Sequence, residues 1–174
     1  GLQFDTELYP INHASFGDES DVDSNGVVII LLTPKVNALV GRPGCSDSFI
    51  TGFFLGADLA PGFRTQYNNG EVFYGFVPDP GGTVSCAYSV NLVRRLVPVT
   101  FIHEFQHMIS YNQHVLVRNA DTEVMWLNEA LSHLAEELGG LHYDSLRDTT
   151  TASSFFIGNL YNAFKYLRNP LGAA

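Results

Sequence analysis

His103 and His107 stand four residues apart, with Glu104 beside the first. On an α-helix, side chains at i and i+4 leave one face a turn apart, so two imidazoles so placed can bind one metal ion together. Glu104 is turned about 100° around the helix axis and can reach a water on that metal without ligating it. This is the HExxH arrangement. Zinc lowers the pKa of a bound water to about 7, and the neighbouring carboxylate accepts the proton as the oxygen attacks a carbonyl. Catalytic zinc takes three protein ligands and keeps a fourth position open. The third is expected from Trp126-Leu127-Asn128-Glu129-Ala130, where Glu129 is the leading candidate. His133 and Glu136 follow on the same helical face, at i+4 and i+7, and are the alternatives.

These residues need two helices to bring them together. Leu92, Leu96, Val99, Ile102, Phe105 and Ile109 recur at helical spacing and predict a helix from Val90 to Asn112, bent at Pro98 or starting near it. A second helix is expected from Thr122 to Leu138, with Asp121 as its N-cap and Gly139-Gly140 as its stop. Leu141 to Ala152 reads as a polar loop. A last helix follows from Ser154 to Leu167, with Phe156, Leu160, Phe164 and Leu167 on one stripe. The N-terminal half reads instead as strands joined by long loops. Val27 to Leu32 is a continuous apolar run, as in a strand buried on both faces, and Phe49 to Leu55 and Glu71 to Val77 are further strands. Strands first and helices second indicate an α+β layout in one domain spanning residues 1–174.

Apolar residues make up 45% of the chain, enough for a sizeable core, and charged residues only 16%, which argues against disorder. The formal net charge of −9 repels phosphate backbones and argues against a nucleic-acid partner. No apolar run is long enough to span a bilayer. Cys45 and Cys86, both in Gly/Ser-rich surroundings, are expected to form one disulfide in an exported protein, secreted or periplasmic. No export signal is visible in this sequence.

HEFQH followed by the downstream NEA resembles the gluzincins, the thermolysin-like zinc peptidases, and is similar above all to the hyicolysin family of bacterial secreted peptidases. The similarity runs over about residues 15–140, with its specific part in Val99 to Tyr111 and Trp126 to Leu138. The resemblance implies a zincin-like fold, a twisted sheet with an antiparallel edge strand packed on the HExxH helix and the third-ligand helix. It further implies His103, His107 and Glu129 as zinc ligands and Glu104 as general base. Thermolysin-like enzymes often carry Asp four residues after the Glu ligand, orienting a zinc histidine; His133 stands there in this chain, so Asn128 or Glu136 is expected to supply that contact. The family also implies a Tyr or His that stabilises the oxyanion, for which Tyr111, His142 and Tyr143 are the candidates. Part of that machinery lies in a later helical lobe in thermolysin-like enzymes; with this sequence closing at Leu171-Gly172-Ala173-Ala174, the expectation is a reduced lobe or a piece of a longer chain that lacks it.

The expected function is zinc-dependent hydrolysis of peptide or protein substrates. The GxMEN motif of aminopeptidase gluzincins is absent from the sequence, which favours an endopeptidase. The alternative is a pseudo-peptidase that keeps zinc and acts as a protein-binding module. Substrate is expected to pair as an added strand with Glu71 to Val77. Asp21, Asp23, Asn25 and Gly26 form a DxDxNG cluster, but Leu32 occupies the twelfth position where an EF-hand needs Glu. The cluster therefore reads as an Asx–Gly turn, with a calcium site the lesser reading.

Overall fold

The computed structural model describes residues 2–46, 49–63 and 65–170. Among these are five α-helices and a three-stranded sheet, a mixed α+β arrangement. The closing Leu171 to Ala174 lies outside the described residues.

The chain opens with a π-helical turn, Phe4–Leu8, that runs into helix α1 (Tyr9–Phe16). This corrects the expectation of strands and loops throughout the N-terminal half. Phe4 and Leu8 are buried, and the buried Asn12 side chain donates a 2.7 Å hydrogen bond to the Ile102 carbonyl. Strands β1 (Ile29–Leu32), β2 (Gly52–Phe54) and β3 (Val72–Gly75) assemble in the order β1-β3-β2. β1 runs parallel to β3, with Ile29 opposite Val72 and Leu32 opposite Gly75, whereas β2 is antiparallel to β3, with Gly52 opposite Gly75.

Two expectations change here. β1 is an edge strand, and Ile29, Leu31 and Leu32 are each more than 40% exposed. An apolar run gives a strand's composition but not how many neighbours will cover it. β3 occupies the centre and is hydrogen-bonded on both sides, so it has no free edge for a substrate strand. The antiparallel edge strand is β2.

Helix α2 (Pro34–Asn37) is a single turn after β1. Helix α3 (Val90–Tyr111) matches its expected span within a residue and continues through Pro98. The Ser89 hydroxyl caps it by accepting the Leu92 amide. Ile102, Phe105, Met108 and Ile109 are fully buried, joining Phe4, Leu8, Phe73 and Phe155 in the main core. A second cluster gathers Val36, Val40, Phe76, Tyr88 and Val93 around Cys86. Cys86 forms a disulfide with Cys45, as expected from the pair.

Helix α4 (Met125–Ser145) starts later and ends later than expected. Val124 is its N-cap, with no side-chain cap, in place of Asp121, and the helix runs straight through Gly139-Gly140. The end of α4 and the start of helix α5 (Thr149–Arg168) together take up most of the segment read as a loop, with Asp148 accepting the Thr151 amide as the α5 cap. Packing explains why the two glycines do not stop α4. A Cβ on Gly139 would sit 2.8 Å from the Phe155 ring, and one on Gly140 would sit 2.3 Å from the Phe156 ring. Their bare backbones let α5 dock against α4, and that contact outweighs the helix propensity glycine forfeits, about 1 kcal/mol each.

Candidate metal centre

α3 and α4 pack side by side and bring His103, His107 and Glu129 to one point. His103 Nε2 and His107 Nε2 are 3.2 Å apart, Glu129 Oε2 is 3.5 Å from His103 Nε2, and Glu129 Oε1 is 3.7 Å from His107 Nε2. Ligand atoms about 2.0–2.1 Å from a common tetrahedral centre are about 3.3–3.4 Å from one another. The observed triangle is close to that size, so His103, His107 and Glu129 could hold a metal ion. His103, His133 and Glu136 form a second such group. There His103 Nδ1 and Glu136 Oε1 are only 2.6 Å apart, a direct hydrogen bond rather than the spacing of two ligands on one ion.

That hydrogen bond has its own use. Glu136 is buried beside His103 and accepts its Nδ1–H, which turns Nε2 toward the ligand triangle and leaves it as the unprotonated nitrogen whenever the ring is neutral. Both residues expected to orient a histidine contact one: Glu136 makes this bond to His103, and the Asn128 side chain, which lines the cleft, hydrogen-bonds His107. His133 Nδ1 stands 3.3 Å from the other Glu136 oxygen, behind the triangle. Ser132 was not singled out from the sequence. Its hydroxyl donates to Gln106 Oε1 at 2.6 Å and lies 3.0 Å from His107 Nδ1, whose N–H it is placed to accept. Both rings are thus oriented from α4, through residues at i+3 and i+7 from Glu129. No motif marks Ser132; only its place on the Glu129 face hints at it.

The electrostatics follow from burial. Burial alone lowers His103, but hydrogen bonds to the Glu129 and Glu136 carboxylates outweigh it and raise the imidazole to about 10. His107 is lowered by burial and by the charge on His103. Glu129 is held below the usual carboxylate range by its hydrogen bond with His103. Glu136 is also lowered, because its bonds with His103 and His133 overcome burial. Glu104 goes the other way. Burial raises it to about 7, against the pull of the His103 charge and the Phe54 backbone N–H.

A cleft of about 620 Å³ opens over the triangle, walled by Gly52 and Phe54 of β2 and floored by Glu104 and Tyr111 of α3. A second cleft of about 260 Å³ shares Gly52, His103 and Glu104 with it. Thr51 O accepts from Phe76 N on the β3 side, so the alternation of the ladder turns the backbone groups of Gly52 and Phe54 to the free edge. Gly52 is needed here: a Cβ would lie 2.4 Å from the Tyr74 carbonyl and 2.5 Å from Thr100.

Of the three residues expected to stabilise an oxyanion, only Tyr111 lines the cleft. Tyr143 is buried, donating its hydroxyl to Glu7 and accepting from Gln3. The His142 ring meets it edge-on. Both lie roughly 20 Å along α4 from Glu129 at 1.5 Å per residue, too far to serve the same site.

Comparison with curated proteins gives a match that fits this geometry. Over 145 residues the chain is 33% identical to the neutral metalloprotease ShpI of Staphylococcus hyicus. The chain is related to a metalloprotease. The match covers 79% of this chain but only 30% of that relative, so the chain spans less than a third of its length. No family model matches the chain. Among the described residues no helix is long and apolar enough to cross a membrane.

Proposed function

We propose that the chain is the catalytic domain of a zinc-dependent endopeptidase of gluzincin type, with His103, His107 and Glu129 as the zinc ligands and Glu104 as the general base. The observation that supports this reading most strongly is the ligand triangle, which has the size of a tetrahedral zinc site and lies beside a buried carboxylate that is not part of it. Zinc held there would supply Lewis-acid polarisation and would lower the pKa of a bound water to about 7.

The remaining work falls to the protein's own groups. Glu104, raised to about 7 by burial, is poised to take the proton of the attacking water and to return it to the leaving amine. Glu136 and Ser132 hold the two imidazoles in the tautomer that presents Nε2. The outward backbone groups of Gly52 and the Phe54 carbonyl offer an edge for an extended peptide, in place of the centrally located β3, while the Phe54 N–H is turned to Glu104. Tyr111 is the proposed donor to the developing oxyanion. The disulfide supports secretion into an oxidising compartment.

Replacing Glu104 by Gln is expected to preserve stoichiometric zinc and abolish casein hydrolysis. Zinc retained with no cleavage by the wild-type protein would favour the pseudo-peptidase instead.

A further inference from the structure

The DxDxNG turn before β1 has a partner that its own sequence neighbourhood does not show. Asp21 Oδ1 accepts the amides of Asn25 and Gly26 at 2.9 and 3.1 Å, and Asp23 Oδ1 accepts Asn25 N at 3.2 Å. Ser24 and Gly26 take left-handed backbone conformations, with φ of 59° and 66°, that curl the loop around these carboxylates. Glu71, at the entrance to β3, closes the cluster. One carboxylate oxygen from each of Asp21, Asp23 and Glu71 lies within 4.8 Å of the other two.

Glu71 is the unusual member. It is 1% exposed. Its Oε1 accepts from the Ser20 hydroxyl at 2.6 Å and the Val22 amide at 3.0 Å, while the buried Oε2 has no hydrogen-bond partner. A buried carboxylate oxygen left unsatisfied is costly, and two further carboxylates beside it add repulsion. Among the described residues no Lys, Arg or His forms an ion pair with any of the three. Gly70 leaves room on the open side, where a Cβ would stand 2.9 Å from Asp23 Oδ2.

We propose that Asp21, Asp23 and Glu71, with the oxygen-rich loop between the first two and Gly26, form a calcium site. The donor set is all oxygen and carries three negative charges, which selects a hard divalent cation over zinc. Calcium takes six to eight oxygens at about 2.3–2.6 Å in flexible geometry, which suits carboxylates drawn from a loop and a distant strand; magnesium demands a regular octahedron at about 2.0–2.1 Å. Glu71 takes the part of the acidic residue that an EF-hand supplies at its twelfth position. The ion ties together the entrances of β1 and β3, which already meet through the Ile29 N–H to Glu71 carbonyl hydrogen bond at 2.6 Å. It is separate from the zinc centre and does not depend on it.

The test is thermal unfolding of the zinc-loaded chain after EGTA treatment, titrated with CaCl₂ and, in parallel, MgCl₂. Calcium at about a hundredfold over its Kd is expected to raise the midpoint by about 5–10 °C. The shift disappears in Asp23→Asn, an exposed position where the amide oxygen can still accept the Asn25 amide, and in Glu71→Gln, which keeps an acceptor for Ser20 and Val22 but removes the charge. It persists in His107→Ala. No calcium-dependent shift in the wild type, an equal shift with magnesium, or a full shift retained in Asp23→Asn would each overturn the proposal.

Discussion

The Nε2 atoms of His103 and His107 face one another at 3.2 Å, although each ring directs its Nδ1 at a hydrogen-bonding group on α4. With both Nδ1 atoms protonated, two lone pairs confront each other and Glu129 adds a carboxylate to the same space. The arrangement needs positive charge between the rings. Without a metal a proton serves, and burial, which lowers His103, is outweighed by the Glu129 and Glu136 carboxylates, which raise it to about 10.

Zinc binding should therefore expel that proton. A metal ligand imidazole must be neutral, and at neutral pH a group raised to about 10 carries a charge. The sign follows: protonated His103 competes with zinc below its pKa, so affinity rises with pH. Between pH 7 and 9 the zinc Kd is expected to fall about tenfold per pH unit. Calorimetry in buffers of different ionisation enthalpy should count about one proton released. A pH-independent Kd would show that His103 is already neutral before metal arrives.

The orienting contacts predict a graded mutant series. Glu136→Gln and Ser132→Ala should each weaken zinc binding by about 10–100-fold, the usual consequence of removing a contact to a ligand's second nitrogen. Glu129→Ala removes a ligand and should be more severe. His133→Asn, which alters only the far side of Glu136, should stay close to wild type. Competition against a chelator of known affinity gives the ranking.

Tyr111 should matter to turnover rather than to metal binding. If it donates to the oxyanion, Tyr111→Phe should lower kcat by about 10²–10³-fold with zinc content unchanged. Tyr143→Phe and His142→Ala should leave kcat alone, since neither lines the cleft. Steady-state hydrolysis of a quenched peptide distinguishes these outcomes.

The glycine pair inside α4 gives a stability prediction with an unusual sign. Gly→Ala within a helix normally stabilises by about 1 kcal/mol. At Gly140 the new methyl would meet the Phe156 ring at 2.3 Å, so Gly140→Ala should instead destabilise by about 1–3 kcal/mol. Urea unfolding of the reduced-flexibility variant against the parent gives the sign directly.

The same glycines show where sequence reading loses its grip. A Gly-Gly pair signals a helix stop because propensity is local, but α5 packs over it and reverses the outcome. The apolar stripe of α3 was legible because its periodicity is set by burial against the core, and its ends came out within a residue. α1 was not legible, since its short stretch around Pro10 carries a weak pattern and its anchor, the Asn12 bond to Ile102, is long-range. In the metal centre, His103 and His107 announce themselves by spacing. Glu136 and Ser132 are separated by chemistry only once α4 is laid against α3. β3 could be read as a strand, but not as the central one, because its neighbours come from elsewhere in the chain.

The most direct test of the account is anomalous diffraction at the zinc absorption edge from crystals of the zinc-loaded protein. One peak is expected about 2.0–2.2 Å from His103 Nε2, His107 Nε2 and a Glu129 oxygen, with Glu104 near it but not bound to it. A peak between His103, His133 and Glu136, or no peak at either group, would contradict it.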